Sequence, residues 1–163
     1  MNRKLVVGFV VAGLMALVTA PLMAADTEEM EDVDAAIAEL RKDIQMDVTD
    51  LITTSMGFTA NEAAAFWPLY KEYQEKRTKI EDERVAIIKQ YAEQIDDLSD
   101  EQAMQLVKRY AAYEDARLGA KRELVKKLEK VLPGKTVARY AMVQNRVDMV
   151  LDLELAADIP LVD

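Results

Sequence analysis

The sequence predicts an all-α protein: four mostly long, bent helices folded back on one another as antiparallel hairpins. Three observations carry that expectation. After Asp26 the only glycines are Gly57, Gly119 and Gly134, and the only prolines are Pro68, Pro133 and Pro160, so residues that break regular structure are scarce. Ala, Glu, Lys, Leu and Met, which lose little on entering a helix, are abundant over the same region. Apolar residues recur at spacings of three and four, the period of a helix with one buried stripe.

The first segment covers residues 28–56, where Met30, Val33, Ile37, Leu40, Ile44, Val48 and Leu51 share one side. Gly57 can supply the left-handed position that ends it. The second runs from 60 to 95, and its start carries a capping box in which Thr59 caps and Glu62 reaches back to the cap amide. Phe66, Tyr70, Tyr73, Ile80, Ile87 and Tyr91 mark its apolar side, with Arg77 and Arg84 on the same stripe. Those arginines either snorkel to solvent or meet neighbouring carboxylates. Pro68 lies deep enough in this helix to remove a backbone hydrogen bond and bend it. The third segment, 100–131, repeats the device with Ser99 and Gln102, and its apolar side reads as Val107, Tyr110, Leu118, Val125 and Leu128. A turn at Pro133 and Gly134 leads to the fourth, 134–156, with Val137, Tyr140, Val147, Leu151 and Leu155. The two boxed starts lie 40 residues apart.

Residues 1–25 read as a secretory signal: Arg3 and Lys4 precede an apolar run from Leu5 to Ala20, and the small residues Ala24 and Ala25 precede Asp26. Leu22 and Met23 break the preferred small-x-small pattern, so an uncleaved inner-membrane anchor stands as the alternative. Export to the periplasm leaves residues 26–163 as a single helical domain. Losing Arg3 and Lys4 leaves 19 basic residues against 30 acidic ones, a charge of -11. That excess argues against nucleic acid and against anionic bilayers as partners.

The chain has no cysteine and no histidine, which removes thiol nucleophiles, imidazole bases and histidine-containing metal sites. "PGKT", Pro133 to Thr136, lacks the phosphate loop's first glycine, because Glu129 stands five residues before Gly134. Glu28, Glu29, Glu31, Asp32 and Asp34 near the start, and Glu81, Asp82 and Glu83 in the second helix, follow no metal-binding spacing and read as solvated helix faces. Asp96, Asp97, Asp100 and Glu101 gather at one loop, where a divalent cation could bind weakly. No enzyme, cofactor, metal centre or small-molecule substrate is expected. The aromatic group Phe66, Trp67, Tyr70 and Tyr73 is either core packing or an exposed contact surface edged by basic residues. By helical spacing Trp67 is set off from the other three and could meet a different neighbour. Helices of about 30 residues span about 45 Å, and the apolar faces they leave over point to pairing with a second copy. A self-sufficient four-helix bundle is the alternative.

Leu98-Ser99-Asp100-Glu101-Gln102 resembles the Leu-Thr-x-x-Gln motif of the Spy/CpxP-like family of small bacterial periplasmic helical proteins, with serine for threonine. Phe58-Thr59-Ala60-Asn61-Glu62 looks like a divergent copy of it. The order "FTANEAAAFWPLYKEY", "LSDEQAMQLVKRY", "KKLEKVLPGKTVARY" resembles the heavy-metal-resistance-like or sigma-factor-sensor-like branch, and the likeness covers roughly Glu28 to Leu155. The resemblance implies a cradle-shaped homodimer of bent helices. It implies one of two roles: an ATP-independent holdase for unfolded envelope proteins, or a regulator of an envelope-stress or metal response that contacts one envelope protein. Metal-sensing relatives use histidine, which this chain lacks. The candidate contact residues that follow are Phe66, Trp67, Tyr70, Tyr73, Arg77, Arg84, Arg109 and Arg117, with Lys108 nearby.

Overall fold

Helix starts and stops in this chain are set by local hydrogen-bond chemistry, and the architecture follows from them. The computed structural model describes residues 27–156. The expected signal segment, its cleavage or retention as an anchor, and the tail "DIPLVD" lie outside the described residues. Within them the fold is all-α, four helices with one bent and no strand: α1 (Thr27–Met56), α2 (Ala60–Gln94), α3 (Asp100–Leu128) and α4 (Gly134–Ala156). A 3-10 turn, Ile95–Asp97, joins α2 to the second cap.

Both boxed starts are closed. The Glu62 amide donates to Thr59 Oγ1 at 3.3 Å, and the Thr59 amide donates to Glu62 Oε2 at 3.0 Å. The Gln102 amide likewise donates to Ser99 Oγ at 3.3 Å, and the Ser99 amide to Gln102 Oε1 at 3.0 Å. Each box satisfies amides that the first turn of a helix leaves without intrahelical partners. Gly57 takes φ 56°, the left-handed backbone that lets α1 stop and α2 begin three residues later. α3 ends at Leu128, short of the expected 131, because its ladder tightens: the Val131 amide donates to Leu128 O at 3.0 Å instead of one residue further back. Pro133 then blocks any continuation and disfavours helical backbone at Leu132.

Pro68 sits inside α2, and its missing N–H frees the Ala64 carbonyl. Both residues are exposed, so that carbonyl faces water and the helix runs on.

The chain divides into two compact units, residues 56–142 and residues up to 55 together with 143 onward. In the first, α2 and α3 form an antiparallel hairpin. Ile87, Leu106 and Tyr113 make a buried cluster in its seam, with Ile80, Tyr91 and Leu98 packed against it. In the second unit, Val48 and Ile52 of α1 and Val147 of α4 are buried. The buried stripe of α1 thus proceeds from Val48 to Ile52 and, in the first unit, to Met56 by steps of four, while Leu51 is 48% exposed. Steps of four follow one row of the helix surface, and a step of three from Val48 leaves that row.

For α3 the expected face holds at Leu128 and fails over most of the rest. Val107, Tyr110 and Leu118 are exposed, and the seam holds Leu106, Tyr113, Arg117, Ala120, Leu124 and Leu128. The helix carries apolar residues on two sides with one tyrosine each, and the side with the larger leucine content entered the core.

The cap geometry makes two expectations measurable. Thr59→Ala and Ser99→Ala should each lower the free energy of unfolding by about 0.5–2 kcal/mol in urea titrations. Glu62 is held below its ordinary value of 4.5, first by the Thr59 amide and then by the Thr136 hydroxyl. A depressed carboxylate stabilises the fold above its unfolded value and loses that contribution as pH falls through the lower folded value. Glu62→Gln keeps a box like that of Gln102 while removing the charge. It should therefore flatten the fall in unfolding midpoint on acidification below 4.5, measured by thermal melts across a pH series.

Candidate functional site

The polar groups that α2 and α3 enclose converge on one carboxylate, Glu81, which was expected on a solvated face and is instead turned into the seam by partners from both helices. Arg77, one turn earlier in α2, brings Nε within 3.3 Å of Glu81 Oε1. From α3, Tyr113 Oη donates to Glu81 Oε2 at 3.1 Å, and Arg117 Nε lies 3.9 Å from Oε1. Arg84 Nη1 donates to the same phenol at 3.4 Å, with its guanidinium carbon 5.7 Å from the Tyr113 ring centre. Glu114 lies 3.5 Å from Arg117 Nη1. Arg117 is 6% exposed, an unusual degree of burial for an arginine, and its pairing with two carboxylates explains how it is tolerated.

Tyr113 connects this cluster to the apolar seam, since its ring packs with Ile87 and Leu106 while its hydroxyl serves the carboxylate. Burial, and then the Glu81 charge, push its phenol far above the usual range. The phenol is thus a fixed neutral donor. A group so reluctant to ionise is unsuited to act as a base or nucleophile at neutral pH.

Outside the seam runs an exposed ladder. Lys76 reaches Glu123 at 2.5 Å, and Lys127 reaches Glu72 at 2.5 Å and Glu123 at 3.1 Å. Lys76, then Lys127, hold the Glu123 carboxyl below its ordinary value, while Glu72, then Glu123, raise the Lys127 ammonium. Between these rungs lies a shallow groove lined by Leu69, Tyr73, Ala120 and Leu124, with about 20 Å³ of room, enough for one water.

The aromatic group of α2 forms the other centre of the 56–142 unit. Phe66 is the hub: its ring centre lies 4.7 Å from Phe58, 5.1 Å from Trp67, 5.3 Å from Tyr70 and 5.2 Å from Tyr140 of α4. Phe66, Tyr70 and Tyr73 are at most 5% exposed. These rings are the packed core of the unit. Trp67, whose helical position suggested a separate neighbour, instead lies edge-on to Phe58, Phe66 and Tyr70. Helix ends close around the rings. Thr136 Oγ1 of α4 donates to Glu62 Oε1 at 2.8 Å, and Arg139 Nη1 donates to the Met56 carbonyl at 3.0 Å, partnering an acceptor at the end of α1.

Of the eight candidate contact residues, the structure brings Arg77, Arg84 and Arg117 together around Glu81. Phe66, Trp67, Tyr70 and Tyr73 meet in the aromatic centre, and Tyr70 and Tyr73 contact each other at 6.0 Å. Arg109 stands apart, bridging from α3 to Glu83 at 2.8 Å and to Gln90. Arg77 thus meets a carboxylate, the less bland of the two expectations for the α2 arginines, and Arg84 meets the Tyr113 phenol. Sequence reasoning did not single out Gln144 and Asp148, which are buried in the other unit, with Gln144 Nε2 donating to Asp148 Oδ1 at 3.1 Å. Their signal was present, since positions 144 and 148 fall on the Tyr140, Val147 and Leu151 stripe. Among the described residues no three acidic side chains converge as metal ligands, and no helix is long and apolar enough to cross a membrane.

No protein-family model matches the chain, and no curated protein or solved structure is significantly similar to it. The family resemblance therefore rests on the short motifs that carry it.

Removing one member of a buried ionic cluster strands the others. Glu81→Leu, which leaves three guanidinia facing one another, should cost about 3–5 kcal/mol of stability. Lys76→Ala on the exposed ladder should cost far less. Equilibrium urea unfolding of the two variants side by side checks the ranking.

Proposed function

We propose that the protein is an exported, ATP-independent holdase that works in the periplasm as a pair of chains and shields aggregation-prone envelope proteins by surface contact. The observation that carries this reading is the apolar surface of the unit made by residues up to 55 and from 143 onward. Met46 and Leu51 on α1, and Met149, Val150 and Leu153 on α4, are 48–72% exposed. Single exposed apolar residues are ordinary, but a small unit that leaves five large ones in water among its described residues offers adhesive surface. Two of them are methionines, whose flexible thioether chains adapt to varied partners. The ionic and aromatic centres, by contrast, are occupied by their own contacts, and the signal-like N-terminus supports export. The family resemblance adds the same expectation.

The contact surface is therefore placed on Met149 and Leu153, in preference to the interior Tyr70 and Tyr73. Met149→Gln combined with Leu153→Gln should reduce protection of a thermally unfolding client several-fold in light-scattering assays. Because both side chains face solvent, the variant's own unfolding midpoint should move little. If equimolar wild-type protein leaves client scattering unchanged, the holdase reading fails. Capture of one folded envelope protein in fixed stoichiometry would replace it with the regulatory role.

A further inference from the structure

The outward face of α3 carries two seven-residue series side by side. Met104, Ala111, Leu118 and Val125 form an apolar stripe in which Met104 is 54% and Leu118 is 44% exposed, and Val107, 57% exposed, lies beside it. This stripe lies nearly opposite the seam residues Leu106 and Tyr113. Along one edge run Glu101, Lys108, Asp115 and Arg122, all exposed and alternating strictly in sign. An apolar series every seven positions, edged by charges every seven positions, matches one of the two series in the seam of a paired helix; the other series here is Val107 followed by the charged Glu114 and Lys121.

We infer that this face docks against the same face of a second copy, antiparallel, about a two-fold axis between Ala111 and Ala112. The charge order selects that arrangement. With the axis there, Glu101 faces Arg122 of the second copy and Lys108 faces Asp115 of the second copy, and symmetry repeats both contacts. Sliding by one heptad in one direction opposes Lys108 to its own copy and Glu101 to Asp115. Sliding in the other opposes Asp115 to its own copy and Lys108 to Arg122. Both slipped registers place like charges together, which disfavours them. A parallel pair would set this edge against Ala103, Tyr110, Arg117 and Leu124, and Arg117 and Leu124 are buried in the seam. In the antiparallel register Val107 comes beside Leu118 of the second copy, and the small Ala111 side chains let the helices approach closely at the axis.

The inference rests on the pairing clause of the proposed function and is independent of client binding. Sedimentation equilibrium of the full chain tests it. Wild-type protein should be a dimer, and Lys108→Asp alone or Asp115→Lys alone should each weaken it by about tenfold or more. Mixing those two variants should restore association, as heterodimers in which every faced pair is again opposite in sign. The double exchange Lys108→Asp with Asp115→Lys should restore the homodimer. Circular dichroism checks that each variant keeps its helix content, and these exposed positions leave the seam untouched. A monomeric wild type overturns the inference, and so does a dimer indifferent to both single exchanges. A dimer that Leu118→Asp abolishes but the charge exchanges leave intact overturns the register. A dimer that lacks holdase activity refutes client binding alone.

Discussion

The hairpin of α2 and α3 depends on one half-buried carboxylate. Arg77, Arg84 and Arg117 come from two helices and would repel one another in a seam with reduced access to water. Glu81 accepts from Arg77 and Tyr113 and lies beside Arg117, and Tyr113 passes the contact on to Arg84. Hydrogen bonds to charged groups contribute about 1.5–3 kcal/mol where solvent is limited, against about 0–1 kcal/mol for exposed pairs such as Lys76 with Glu123. The interior cluster therefore outweighs the surface rungs. It also fixes register: a shift of α3 by one turn would withdraw Tyr113 from Glu81 and from Ile87 and Leu106 together.

The second constraint concerns helix ends, where backbone groups lack intrahelical partners. Here the ends solve the problem mutually. Glu62 closes its own capping box and accepts the Thr136 hydroxyl, while Arg139 covers the Met56 carbonyl. Phe58, immediately before one cap, packs on Phe66 and Trp67. Leu98, immediately before the other, packs on the Ile87, Leu106 and Tyr113 cluster. The repeated start is thus a device with two parts, a polar lock for the amides and an apolar anchor one residue upstream.

Much of this was legible before any coordinates. Caps, the left-handed Gly57 and the four helices follow from interactions within a few residues of one another, which sequence reports directly. The face of α3 was not legible in that way. Two apolar stripes coexist on it, and only packing against α2 decides that Tyr113 and Leu124 enter while Val107 and Leu118 remain outside. The choice of Glu81 as the hub was equally hidden. Glu81, Asp82 and Glu83 are adjacent acids, and their fates differ by the direction each side chain takes from the helix. The contact between Glu62 and Thr136 spans 74 residues and left no local trace. Gln144 and Asp148 were missed for another reason: a polar residue on an apolar stripe is easily passed over, although its position already marks it as interior.

The interior acids, arginines and tyrosines of α2 and α3 bond to one another, so the proposed contacts with other molecules fall to the outer faces. Its two apolar surfaces differ in kind. On α3 the apolar side chains are bordered by charges of ordered sign, and order discriminates: it favours one geometry and repels its neighbours, as suits a partner of fixed shape. Around Met149 and Leu153 the arrangement relies on flexible or branched apolar chains, which suits partners that vary. With the two on separate helices, the proposed pairing surface can be specific without restricting the proposed client surface, since a residue tuned for a single register cannot also accommodate many.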